Sequence, residues 1–502
     1  MKKIKFALFL FLLACLAGAF ADSAGADIFY SVSNYSTGSA GLVRKSGGGE
    51  YTVRKNLVIN LGLDAAGFTF EDSDNGASRA MIREYRYGPN DTVYIWDPSD
   101  WSRPIVNARN FGSNIHAAAA ANGRYLYLTT YESYAGSASA EEDSGEVARV
   151  DMRDGGYRRD RAYHYRRFTS ESGNRLTPHG EAIHVQDGKV YVLFGMPYNG
   201  VTEYEASEIV EFDAELNRLR SVRLENSAGA EGRNATRMAF YGGKLYVACM
   251  GGFQGPDSWG DIWEVDIFAE PHMTARQALD GRNLPYTVNG EPVNVGMYAV
   301  DFARDGTAFV LAGSYNAGYS FRARLFVTTA ARLAAGDVDG SAVAAEYRNI
   351  PGESWGLLWD EPAGTLWCMA GTKLEARDKN GAPLRTFTAR ELGDNIYSVS
   401  LLNGVPDPGD GGGGGKDEGG GGGGCNAGLG AAAVFLFLFP RRKSSRALWA
   451  LFIALFALSA LPPEASYGAE TLYAVKFRVT RGAGIRAFHK TLHFYPFTEY
   501  PL

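Results

Sequence analysis

Along residues 27–402 the chain repeats one arrangement of apolar and polar positions. An apolar run, a tight glycine turn and a second apolar run are followed by a third run that usually ends in Asp. The first two runs are clearest in Ile115-His116-Ala117, Asn122-Gly123 and Tyr125-Leu126-Tyr127-Leu128. They recur around Asp187-Gly188, Gly242-Gly243, Asp305-Gly306 and Ala363-Gly364. Asn-Gly and Asp-Gly between apolar runs predict two-residue hairpins, because a type I′ turn needs positive φ at both central residues. The third run ends at Ser46, Asp97, Asp151, Asp213, Asp266, Thr329 and Asp378, at intervals of 49–63 residues. Each of these seven units has room for a four-stranded sheet and its loops.

A lone sheet of this kind leaves both faces uncovered, and a ring of sheets buries face against face. The expected fold is therefore all-β, a seven-bladed β-propeller over residues 22–405. Ile28-Phe29-Tyr30-Ser31-Val32 opens the domain without a partner half before it, and Ile396-Tyr397-Ser398-Val399-Ser400-Leu401 closes it as an inner-type strand. Together they are predicted to complete one blade and abolish an exposed edge. The rival arrangement is a pair of β-sandwiches. The repeat pattern resembles extracellular propellers of the YVTN and surface-layer type, which implies a fold and no activity.

Composition narrows the function classes. The chain has 502 residues, 45% hydrophobic and 21% charged, with a formal charge of −6. That is ordinary globular composition without the basic excess that nucleic-acid binding calls for. Four cysteines are too few for a disulfide scaffold. Cys249 and Cys368 fall on apolar strands of non-adjacent blades and are expected to be buried small hydrophobes.

The two ends carry targeting signals. Lys2, Lys3 and Lys5 precede an apolar run from Phe6 to Leu16, and Ala19-Phe20-Ala21 offers small residues for cleavage, so residues 1–21 read as a secretory signal peptide. Residues 406–424 form a Pro/Gly/Asp-rich linker, which behaves as a tether. Next come Gly424-Cys425, a short apolar run to Phe439 and Pro440-Arg441-Arg442-Lys443. At 1.5 Å per residue that run makes a helix of about 20 Å, short of a bilayer core of about 30 Å. This arrangement over residues 425–443 resembles the Synergist-CTERM family of C-terminal sorting signals. The resemblance implies export, membrane retention and processing near Gly424 and Cys425 by a rhomboid-type sorting protease, with Arg441 and Arg442 as the positive stop. Such signals end their chains, whereas here a second hydrophobic, signal-like segment follows at 444–469 and a tail at 470–502 to which no role is assigned.

Candidate chemistry is sparse. The repeated Asp97, Asp151, Asp213, Asp266 and Asp378 are expected to accept backbone N–H groups in the turns that follow them. Asp337-Val338-Asp339-Gly340 reads as a turn. Tyr131 to Gly145, with Glu141-Glu142-Asp143, reads as a long solvated loop. Nine positions before each turn glycine stand Asn114, His179, Asn234, Met297 and Trp355; seven before stand His116, Glu181, Thr236, Ala299 and Leu357. These positions are expected just upstream of the inner strands, at one mouth of the central channel. Asn114, His116, His179, Glu181, Asn234 and Trp355 are the candidate ligand-binding residues. His116, His179 and Glu181 form the cluster with metal-ligand chemistry. No nucleophile triad, HExxH or phosphate loop is present, and no cofactor is called for. The reading is an exported, envelope-anchored propeller that acts as a non-catalytic binding or scaffolding module, with an unknown extracellular partner. The alternatives are a lactonase-like hydrolase using the channel mouth and a passive structural protein of the envelope.

Overall fold

A computed structural model describes residues 27–402 apart from short stretches, of which 133–142 is the longest. The signal peptide, the linker, Gly424, Cys425, Arg441, Arg442 and the tail lie outside the described residues. The strands form seven four-stranded antiparallel sheets, the blades of a β-propeller. Blades 2 to 7 occupy residues 66–108, 113–166, 179–223, 235–280, 296–350 and 355–387 in chain order. Blade 1 combines both ends of the domain. Its innermost strand, Ile396–Leu402, pairs antiparallel with Asp27–Ser33, whose own partner is Gly38–Lys45.

Seven apolar clusters fill the structure, and each joins two neighbouring blades. Seven sheets in an open row would share six interfaces. The seventh, between blades 7 and 1, holds Trp367, Leu374 and Phe387 against Ile28, Tyr30 and Val43, so the ring is closed. Side chains alternate across each strand, and here both faces are covered. In Tyr125–Glu132, Leu126 and Leu128 enter the core shared with blade 2, and Tyr127 enters the core shared with blade 4. That double burial is why the strands read as unbroken apolar runs.

Turns and blade contacts follow from local chemistry. Asn122-Gly123, Asp187-Gly188 and Gly242-Gly243 have positive φ at both residues, whereas at Asp305-Gly306 and Ala363-Gly364 only the glycine does. Each repeated Asp accepts from its turn: Asp97 from the Ser99 N–H, Asp151 from Arg153, Asp213 from Glu215 and Asn217, Asp266 from Phe268 and Ala269, and Asp378 from Asn380 and Ala382. On or just before the third strands of blades 2 to 5, the backbone N–H of Asp91, Gly145, Ser207 and Gly260 donates to the carbonyl of Gly112, Pro178, Gly232 and Val295, which lead into the next blade. Asp91 and Ser207 also accept the N–H of Ile115 and Ala235 through their side chains. At Gly260 the neighbouring backbone comes too close for a side chain: a Cβ there would meet the Cys249 carbonyl and lie 2.7 Å from the Met297 nitrogen.

Candidate functional site

Five innermost strands break register by one residue near their start. The residues that the register skips are His116, Glu181, Thr236, Tyr298 and Tyr397, on blades 3, 4, 5, 6 and 1. A bulge re-aims a side chain that would otherwise lie in an inter-blade core. In blades 3 and 5 the bulge is preceded by an asparagine in the left-handed region, Asn114 at φ 51° and Asn234 at φ 52°. Asparagine is among the few residues that tolerate that conformation, which accounts for the residue type at both positions.

Tyr131 lies on the second strand of blade 3 and stacks on two imidazoles. Its ring centroid is 3.4 Å from that of His116 and 4.4 Å from that of His179, with interplanar angles of 15° and 23°. Its hydroxyl donates to Glu181 Oε2 at 2.7 Å. His116 Nδ1 stands 3.6 Å from the same oxygen, beyond hydrogen-bond range. Glu181 is 5% exposed and His116 28%, so the stack is deep but touches the channel.

Burial drives the stack toward its neutral forms. It raises the Glu181 carboxyl to about 8, against the opposing pull of the Tyr131 hydroxyl and the Arg237 charge. It lowers His179 to about 4, assisted by Arg167. It lowers His116 well below the imidazole range, assisted by Arg83, Arg237 and His179, and raises the Tyr131 phenol well above its usual value. The His116–Glu181 contact is therefore an approach of neutral groups at pH 7 and no salt bridge.

Arg237, from blade 5, acts electrostatically on Glu181 of blade 4, on His116 and Tyr131 of blade 3, and on Tyr397 of blade 1. Arg83, from blade 2, acts on His116 and Tyr397. Side chains from five successive blades reach one another only near the axis, which places this cluster in the central channel. Tyr204, on the third strand of blade 4, is coupled to Glu181 there.

Several sequence expectations are corrected. Of the counted positions only Asn234 precedes its strand as expected, and the others lie on the innermost strands themselves. Met297 is fully buried between blades 5 and 6, and Ala299 between blades 6 and 7, so neither lines the channel. Tyr131 and Glu132 end a strand and Asp143–Asp151 is the next, so the expected loop is shorter than 131–145; Glu141 and Glu142 lie outside the described residues. His116 and His179 do not turn their nitrogens on a common point, because the Tyr131 ring lies between them. No group of three His, Cys, Asp or Glu side chains is arranged to hold a metal among the described residues. Trp355 begins the innermost strand of blade 7, paired through its backbone with Ala370. Tyr131, Tyr204 and Arg83 come from second and third strands, which stand at no fixed distance before a turn glycine.

Several solved structures resemble the chain distantly. A protein of unknown function from Bacteroides caccae matches at 8% identity and a TM-score of 0.37, over 76% of this chain and 100% of that one. The β-propeller domain of the trilobed protease from Pyrococcus furiosus matches at 10% identity and 0.36, over 74% and 98%. A Synechocystis apocarotenoid oxygenase matches at 9% identity and 0.41, over 76% and 93%. These likenesses concern the fold alone. No family model and no curated protein matches the chain.

Proposed function

We propose that this chain is an exported β-propeller, retained at the cell envelope by its C-terminal sorting signal, that works as a binding module with its ligand in the central channel. The observation that carries the reading is the convergence of Arg83, His116, Tyr131, Glu181, Arg237 and Tyr397 from five blades near the axis. Propeller stability needs apolar interfaces between blades, and nothing in that requirement puts titratable groups at the axis. Polar groups converging in a concave site are the usual signature of a ligand site. Export and retention rest on Lys2 to Ala21 and on the Synergist-CTERM resemblance around Gly424, Cys425, Arg441 and Arg442, which brings a rhomboid-type protease and the membrane as partners. The surface-layer resemblance of the repeat agrees with an extracellular address.

A small-molecule screen by thermal shift, run on the wild type and on Tyr131→Ala, tests the binding role. Compounds that stabilise the wild type and lose their effect in the variant support it, and an equal response of both proteins removes it. Cell fractionation of the wild type and of a form truncated before Gly424 tests retention, which predicts release of the truncated form. A second reading, a hydrolase, draws on Glu181, a carboxyl still largely protonated at neutral pH beside His116. Turnover of lactone or ester substrates that disappears in Glu181→Gln would establish it over simple binding.

A further inference from the structure

Arg83 is 4% exposed and hydrogen-bonds with Tyr397, but among the described residues its Nε and Nη1 have no hydrogen-bond partner. Two more groups without a partner among the described residues lie close to Arg237 in sequence, the Thr236 hydroxyl on the innermost strand of blade 5 and the side-chain nitrogen of Asn234 just before that strand. All of these are donors or can donate. Guanidinium nitrogens left without acceptors in a buried site are costly, and a partner that brings acceptor oxygens relieves the cost. The acids that bear on the cluster are Glu181, whose Oε2 is taken by Tyr131, and Asp64, which acts on Tyr397.

We propose that the channel site takes a small anionic molecule whose carboxylate or phosphate oxygens accept from Arg83, Arg237 and Thr236. The inference rests on the channel-binding reading and names the ligand's chemical class. Glu181 supports it: held largely protonated at neutral pH, it leaves the two guanidinium charges unopposed from that side. His116 and His179, both neutral there, add polar surface without further charge. Charge-assisted hydrogen bonds of this type discriminate strongly against a neutral isostere.

Calorimetric titration of the full chain in detergent, at constant ionic strength, provides the test. The probes are benzoate, its neutral isostere benzamide, and inorganic phosphate. The expected result is saturable binding of benzoate or phosphate, at least tenfold weaker binding of benzamide, and at least a tenfold loss of anion affinity in Arg237→Gln. Arg158→Gln, on the outer strand of blade 3, should bind like the wild type. Arg83→Gln is expected to show the larger loss; Arg237 is exposed, so its variant decides the matter if the buried one fails to fold. The relative strength of benzoate and phosphate distinguishes a carboxylate from a phosphate ligand. Benzamide bound as tightly as benzoate, or anion binding unchanged in Arg237→Gln, overturns the anionic class and leaves channel binding standing. Absence of binding by both anions also overturns it, while the Tyr131→Ala screen decides channel binding separately.

Discussion

Replacing Glu181 with glutamine removes the carboxyl of the channel stack and keeps an acceptor for the Tyr131 hydroxyl. In the folded protein burial raises this carboxyl from 4.5 to about 8. The unfolded chain therefore releases the proton first, and folding stability falls as pH rises from about 4.5 through about 8. At 1.36 kcal/mol per pH unit, the wild type forfeits about 3 kcal/mol by pH 7 and about 5 kcal/mol above pH 8, an upper figure for a group that touches channel water. Glu181→Gln has no proton to lose there. The groups that face Glu181 are His116 and Tyr131 from blade 3, Tyr204 from its own blade and Arg237 from blade 5, and all persist in the variant. Urea unfolding at a series of pH values from 4 to 9 reads the difference directly. The two proteins should coincide near pH 4 and separate steadily, with the variant more stable. On the acid side both should weaken together as His116 and His179 take up protons, since their lowered values make charging costly. Parallel curves across the whole range would refute the assignment of a buried, proton-holding Glu181.

Ser398→Ala removes a hydroxyl that meets Ser31 Oγ at 2.6 Å and accepts the Gly67 N–H at 2.7 Å; leaving those groups unpaired should cost about 1–3 kcal/mol by urea unfolding. Gly260→Ala forces a Cβ against the backbone of Cys249 and Met297 and should cost several kcal/mol or abolish folding, whereas Gly340→Ala meets nothing within 4 Å and should change stability by less than about 0.5 kcal/mol. Asp301→Ala strips the acceptor of the Trp359 N–H at 2.7 Å and the Phe302 N–H at 2.8 Å, and should lower the unfolding midpoint as a loss of about 2–3 kcal/mol. Thiol labelling of the native protein, mapped by mass spectrometry, should spare Cys249 and Cys368, because both are fully buried and burial raises both thiols; labelling should follow only on unfolding.

The architecture was legible because its determinants are local. Glycine turns, doubly buried strands and terminal Asp caps each repeat in sequence, and the two half-blades at 28–32 and 396–401 announce their own pairing. Blade 2 is the exception: its inner hairpin, Ala66–Asp72 with Ala77–Glu84, carries Arg79 and Arg83 in place of an apolar run, and only its third strand follows the repeat pattern. The site was half legible. His116 and Glu181 stand at a fixed distance before a turn glycine, the position at which the innermost strands bulge. Tyr131 hid at the end of a strand next to polar residues that looked like loop. Arg83 and Tyr204 depend on which strand of which blade approaches the axis, a distance set by tertiary packing that no local pattern encodes.

Closing the ring with its last strand sets an order of events. Within blades 2 to 7 every strand pairs with its neighbour in sequence, so their nuclei can form as each segment appears. Blade 1 waits for Ile396–Leu402, and just before that strand the Tyr30 hydroxyl donates to the Leu392 carbonyl across 362 residues. Loop-closure entropy grows only by about 0.6 kcal/mol per doubling of length, so this contact costs roughly 1.5 kcal/mol more than one spanning about 60 residues. A chain threaded across a membrane amino end first would hold six partly assembled sheets and two unsatisfied flanks until residue 402 emerged. The same late step is a quality check, since any truncation short of it leaves a species with sticky edges for proteases and chaperones to recognise.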